Sequence, residues 1–187
     1  MPERASVAGR ERLRLFVALV LPSEARERLV EWQQRELGSG DGIRIVAPDN
    51  LHVTIAFLGG RPADEVVAIR GALRDAAGSA APPVLRPARY RETRSVGMVV
   101  FDDENERATA LAGELFTGLE QAGVYERERR PWLAHVTVLR FRGRPPRLAP
   151  TLPNLGEVSP SEVALYHSVL RPSGAQYEIV ESVALGG

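Results

Sequence analysis

The sequence predicts an α+β protein built from two similar halves. Three observations carry that prediction. The tripeptide His-Val-Thr occurs at 52–54 and again at 135–137, although the 187-residue chain holds only three histidines. Short apolar runs suited to strands alternate with segments of helical period. Strand, helix, turn and His-bearing strand then follow in the same order twice, over about 13–60 and about 96–143. A single shift relates the copies, 135 − 52 = 83, and it also carries Phe16 to Val99 and Ser23 to Glu106. The duplication rests on this layout, since residue identity adds nothing outside His-Val-Thr.

Residues 1–11 are polar and expected to be flexible. Leu13–Leu21 reads as a central strand. Its apolar core, Leu15–Leu21, follows basic residues but is only seven residues long with no Ala-x-Ala after it, so it is not a secretory signal. Ser23 is a cap candidate for a helix with Ala25, Leu29, Trp32 and Leu37 on one face. Ile43–Val46 is a short strand and Pro48-Asp49-Asn50 a turn. Leu51–Leu58 is a strand ended by Gly59-Gly60. Pro62 suits the first position of a helix striped by Val66, Ile69, Leu73 and Ala76 and ended at Gly78, with Ala80–Pro83 as linker.

In the second half, Val84–Tyr90 and Val96–Phe101 read as strands. The strongest helical pattern is Asn105–Ala122, with Gly123 as its C-cap. Leu133–Phe141 is the strand with the second His-Val-Thr. Arg142–Pro153, rich in Arg and Pro, reads as loop. Glu162–Leu170 and Tyr177–Leu185 close the chain as strands joined by Pro172-Ser173-Gly174.

Length fits one domain, residues 1–187, composed of two lobes. Hydrophobic content of 44% and charged content of 26% describe an ordinary soluble globule, and a net charge of zero argues against a general polyelectrolyte binder. There is no cysteine, which excludes disulfides, thiolate metal sites and a thiol nucleophile. All 24 basic residues are arginine. Without lysine there is no Schiff base, no adenylylated lysine and no P-loop. No stretch is long enough to span a membrane, and a cytoplasmic protein is expected.

On a strand, His52 and Thr54 project to one face while Val53 and Ile55 point to the other, and the same holds for His135 and Thr137 against Val136 and Val138. If the halves face each other, two imidazoles and two hydroxyls converge on one cleft. That set suits phosphoester chemistry. One histidine takes a proton from water while the other protonates the departing oxygen, and an unperturbed pKa of about 6.5 keeps both forms within reach. Threonine hydroxyls can hydrogen-bond the phosphoryl oxygens, and an arginine such as Arg140, five residues after His135, can neutralise them bidentately.

A lone His-x-Thr on a strand is usually a structural polar pair. Two copies that use two of three histidines at matched places are not. A zinc site would need a third ligand, and His167, in the apolar run VALYHSVL, reads as structural. No metal or other cofactor is therefore expected. Between 127 and 147 seven arginines stand against Glu128 alone, a surplus of 7 − 1 = 6 charges and a candidate phosphate-binding patch.

These residues resemble the 2H phosphoesterase superfamily, and within it the RNA 2′,3′-cyclic phosphodiesterases, also called 2′-5′ RNA ligases. The resemblance runs through RLFVALVLP (14–22), NLHVTIAFLG (50–59), RPWLAHVTVLR (130–140) and SVLRPSGAQYEIV (168–180). It implies two α+β lobes with antiparallel sheets facing a central groove and helices outside. It implies His52, Thr54, His135 and Thr137 as the catalytic tetrad, with Phe57 and Arg140 holding substrate. Arg130 is expected to hold a neighbouring phosphate. The implied activity is hydrolysis of a 2′,3′-cyclic phosphate at an RNA end to a 2′-phosphate, without metal, and ATP-independent 2′-5′ ligation as its reverse type. By the same resemblance His135 is the base and His52 the acid. The expected partner is RNA with a cyclic end, tRNA fragments among them, acted on by a monomer. Alternatives are a noncatalytic RNA-end binder and a phosphodiesterase for a small cyclic nucleotide. Many relatives have lysine at Ala56 and proline at Ala134. If the strand is regular past Ile55, Ala56 faces the groove and its small side chain removes a cation there.

Overall fold

The computed structural model describes residues 11–38, 40, 42–172 and 174–186. The expected flexible start, except Glu11, and Ser173 of the last turn lie outside these. The described strands are β1 (Arg12–Leu19), β2 (Ile43–Ile45), β3 (Val53–Pro62), β4 (Leu85–Glu92), β5 (Val96–Asp103), β6 (His135–Phe141), β7 (Glu162–Arg171) and β8 (Gly174–Ala184). The helices are α1 (Ser23–Glu36), α2 (Val66–Gly78) and α3 (Arg107–Gln121).

The strands run in the order β4-β5-β6-β3-β1-β7-β8, with β2 also on β6. Every pairing is antiparallel. Two four-stranded groups result, β4-β5-β6-β2 and β3-β1-β7-β8, and among the described residues their strands pair at Val53 and Val136. Val53, Ile55, Val136 and Val138 are buried in one core with Leu29 and Trp32 of α1, Ile69 and Leu73 of α2, and Leu111 and Leu115 of α3. The helices thus cover one face of the sheet and leave the other as the wall of a groove. Burial of each such aliphatic side chain is worth about 1.5–3 kcal/mol. α2 and α3 pack closely where Gly118 faces Ala72, since a Cβ on Gly118 would stand 3.1 Å from that of Ala72.

Helix starts differ from expectation. Ser23 is already helical, follows Pro22 and makes no capping bond. β3 runs on through both glycines to Pro62, and α2 begins at Val66 after one 3-10 turn. α3 begins at Arg107, not Asn105, because Asn105 and Glu106 have positive φ. Its free amides are met by Asp103, whose carboxylate accepts from Ala108 N at 3.0 Å and Thr109 N at 2.7 Å. The other end is as expected. Gly123 takes φ +70 and Val124 N bonds Leu119 O at 3.1 Å, closing α3. No described helix is long and apolar enough to cross a membrane.

Candidate active site

The Val53–Val136 pair fixes the site. In an antiparallel pair the neighbours follow in opposite senses, so His52 stands beside Thr137 and Thr54 beside His135. Both valines are fully buried on the helix side, and the four polar side chains are partly exposed on the groove side. Each histidine therefore lies against the other motif's threonine.

Each motif is followed by a bulge at the same offset. Val17 and Ala18 pair with Ala56 and Thr54, which leaves Ile55 as the extra residue of β3. Gly97 and Met98 pair with Leu139 and Thr137, which leaves Val138 as the extra residue of β6. The bulges are 138 − 55 = 83 residues apart, the spacing of the histidines. In a regular strand, residues five apart face opposite ways. The extra residue restores the parity, so Phe57 joins the face of His52 and Arg140 that of His135.

Ala56 is correspondingly buried, 1% exposed, in the helix-side core with Val17 and Val53. The expectation that Ala56 faces the groove is thereby corrected. The bulge turns it inward, and its small size suits the core.

Each imidazole is tied to the carbonyl two residues before it. His135 Nδ1 lies 2.8 Å from Leu133 O. A carbonyl only accepts, so Nδ1 is the donor and Nε2 is left free for chemistry. His52 bonds likewise to the Asn50 backbone. Its ring stacks on Phe16 at 4.9 Å and meets Tyr177 edge-on at 5.4 Å. Burial among these rings pushes the pKa of His52 down to about 4, and the Arg140 guanidinium and His135 add to the fall. The Asn50 bond opposes it.

The sequence candidates separate in space. Arg140 reaches His52 electrostatically and has no ion pair among the described residues. Phe57 is 62% exposed, its ring 5.7 Å from Phe16. Arg130 is highly exposed and bound to Glu128 at 2.6 Å. The seven-arginine patch is likewise not one patch, for Arg127 pairs with Glu120 and stands over the Phe116 ring. His167 pairs in register with Leu15 while its neighbour Tyr166 stacks on Phe16, so His167 points to the opposite face from His52. Among the described residues no group of three or more metal-ligating side chains gathers.

Two supporting residues escape the sequence reading. Gln33, 1% exposed in α1, donates to Val138 O at 2.9 Å and Val46 O at 3.2 Å. It lies beside Trp32 and four residues after Leu29, so a polar residue next to a core stripe was the available signal. Trp132 donates its indole N–H to Thr54 O at 3.0 Å, tying the approach to β6 onto β3. The rings of Phe16, Tyr166 and Tyr177 come from three strands and have no local sequence signal.

Comparison with known proteins agrees with this geometry. The family described as LigT like Phosphoesterase matches residues 19–89. The RNA 2′,3′-cyclic phosphodiesterase of Thermus thermophilus is 33% identical over 183 residues, covering 94% of this chain and 91% of that protein. That of Archaeoglobus fulgidus is 28% identical over 180 residues, covering 89% and 97%. The crystal structure of E. coli LigT complexed with 3′-AMP superposes with a TM-score of 0.80 at 25% identity, covering 95% of this chain and 100% of that one.

Proposed function

This chain belongs to the LigT-like family of RNA 2′,3′-cyclic phosphodiesterases, and from that premise we propose how its groove opens a cyclic phosphate at an RNA 3′ end. His135, its Nε2 free, takes a proton from water. The water attacks phosphorus opposite O3′, the P–O3′ bond breaks, and His52 supplies the proton that O3′ needs. The products are a 2′-phosphate and a free 3′-hydroxyl. Thr54 and Thr137 donate to the nonbridging oxygens as charge grows on them, and Arg140 neutralises that charge. Phe57 offers its exposed ring to a base.

The observation that carries this reading is the register that sets each histidine against the opposite threonine, with Arg140 on the same face. His52 is neutral in the empty groove. A bound phosphodiester anion supplies the charge that lets it take up a proton. With an RNA 5′-hydroxyl in place of water, the same groups yield a 2′-5′ linkage without ATP. The matched bulges support residues 1–187 as one bilobal unit grown by duplication, with 13–60 and 96–143 as its copies. Action as a monomer in the cytoplasm, on RNAs that include tRNA fragments, completes the reading. The test is incubation with an RNA bearing a 2′,3′-cyclic end, followed by mapping of the product. A 2′-phosphate is expected. An end that is bound but never opened would leave only the noncatalytic binder.

A further inference from the structure

We infer that the groove has a direction, and that the body of the RNA leaves it along β6 toward an arginine-lined cavity built by Arg94, Arg142 and Arg144. The inference rests on the proposed cyclic-end chemistry and adds a second, distant phosphate site to it.

β3 and β6 are antiparallel, and among the described residues they pair near their starts, at Val53 and Val136. They therefore run from the histidines to opposite ends of the molecule, and those ends differ in charge. At the β3 end a cavity of about 400 Å³ is lined by Phe57, Arg61, Tyr125, Glu126 and Glu128 among others. Arg61 there is already paired with Glu65. Glu128 is paired with Arg130, and no guanidinium lining this cavity is free to take a phosphate.

At the β6 end, the turn between β4 and β5 meets the exit of β6. Phe141 N donates to Ser95 O at 2.8 Å and holds the two together. The cavity between them, about 480 Å³, is lined by Arg94, Ser95, Phe141, Arg142, Gly143, Arg144 and Pro145, with no carboxylate. All three arginines are exposed and none has an ion pair among the described residues. Three unpaired guanidiniums around one cavity repel one another, and a phosphate relieves that repulsion.

The spacing suits one RNA strand. The seven residues of β6 span roughly 20 Å at about 3.3 Å each. That matches about six nucleotides stacked at ~3.4 Å, and fewer if the strand is drawn out. Arg140 lies on the way, between the histidines and the cavity. A cyclic phosphate bound at the histidines has its chain only on the 5′ side, so that side is assigned to β6.

The test compares wild type with Arg94→Glu/Arg144→Glu on two substrates, a cyclic mononucleotide and an RNA of about ten nucleotides with a cyclic end. Thermal melting confirms that the variant is folded. On the mononucleotide its kcat/KM should stay within about twofold, while on the long RNA it should fall by about tenfold or more, with a shallower salt dependence of KM. Equal kcat/KM for variant and wild type on the long RNA, or equal losses on both substrates, would overturn the inference. A wild type inactive on both substrates would instead remove the cyclic-end reading itself.

Discussion

The buried carboxamide of Gln33 donates a hydrogen bond to the carbonyl of Val138, 2.9 Å away, at the residue where β6 bulges. Val46 N also donates to that oxygen, at 3.0 Å. A helix on the outer face thus steadies the bulge that turns Arg140 into the groove. Gln33→Leu keeps most of the volume and removes both side-chain bonds. Unfolding in urea should show a loss of about 1–3 kcal/mol. kcat for a cyclic mononucleotide should fall with little change in KM, because Arg140 loses its aim at the charge that grows during the reaction. Unchanged stability and kcat would mean that the bulge holds itself.

His52 should titrate far below an ordinary histidine. NMR of its ring protons should give a pKa of about 4 in the free protein. Phosphate binding, or Arg140→Ala, should raise it, the first by adding an anion and the second by removing a cation. A pKa that stays low with phosphate bound would transfer the acid role to His135.

The same depression couples His52 to folding. The unfolded chain binds its proton near the ordinary value of about 6.5 and the folded one only near 4, so between these the unfolded state holds more protons. The burden of keeping His52 neutral is absent above the ordinary value and grows as pH falls toward 4. Melting temperature should drop over that window, and His52→Phe should flatten the drop. A variant with the same slope as wild type would show that other groups set it.

The two histidines should separate by leaving group. Either His→Ala change should reduce turnover of a cyclic phosphate by about 10² to 10⁴. A nitrophenol leaves without protonation, so a nitrophenyl ester should rescue His52→Ala and not His135→Ala. The reverse pattern exchanges acid and base. Near-wild-type rates in both single variants would make the repeated tripeptide structural.

Arg140→Ala should lower kcat/KM by about 10² for short and long substrates alike, as loss of one preorganised donor does. Arg140→Lys should recover part of this, since a point charge replaces a bidentate fork. Full recovery by lysine would reduce the guanidinium to simple charge.

Hydrolysis should survive excess chelator, because in the proposed scheme the groove's own imidazoles move the protons. Loss in chelator with rescue by a divalent ion would replace the acid–base scheme by a metal-bound water.

The sequence by itself determined most of the strands and helices and the His-x-Thr faces. These follow from local periodicity, and the side chains at 52, 54, 135 and 137 need only a regular strand to agree. It did not determine which side Ala56, Phe57 and Arg140 take. That depends on Ile55 and Val138 being extra residues, which is a property of how β3 meets β1 and β6 meets β5. Helix starts were misread at Ser23, Pro62 and Asn105, and at α3 the cap is Asp103, just ahead of the helix, whose carboxylate accepts from Ala108 N and Thr109 N. Only the tertiary structure set the rings of Phe16 and Tyr177 against His52, because they come from strands far apart in the chain. It also paired Arg127 with Glu120 and Arg130 with Glu128, while Arg140, Arg142 and Arg144 have no ion pair among the described residues. Sequence counts charges along the chain, and folding decides which of them keep a carboxylate beside them.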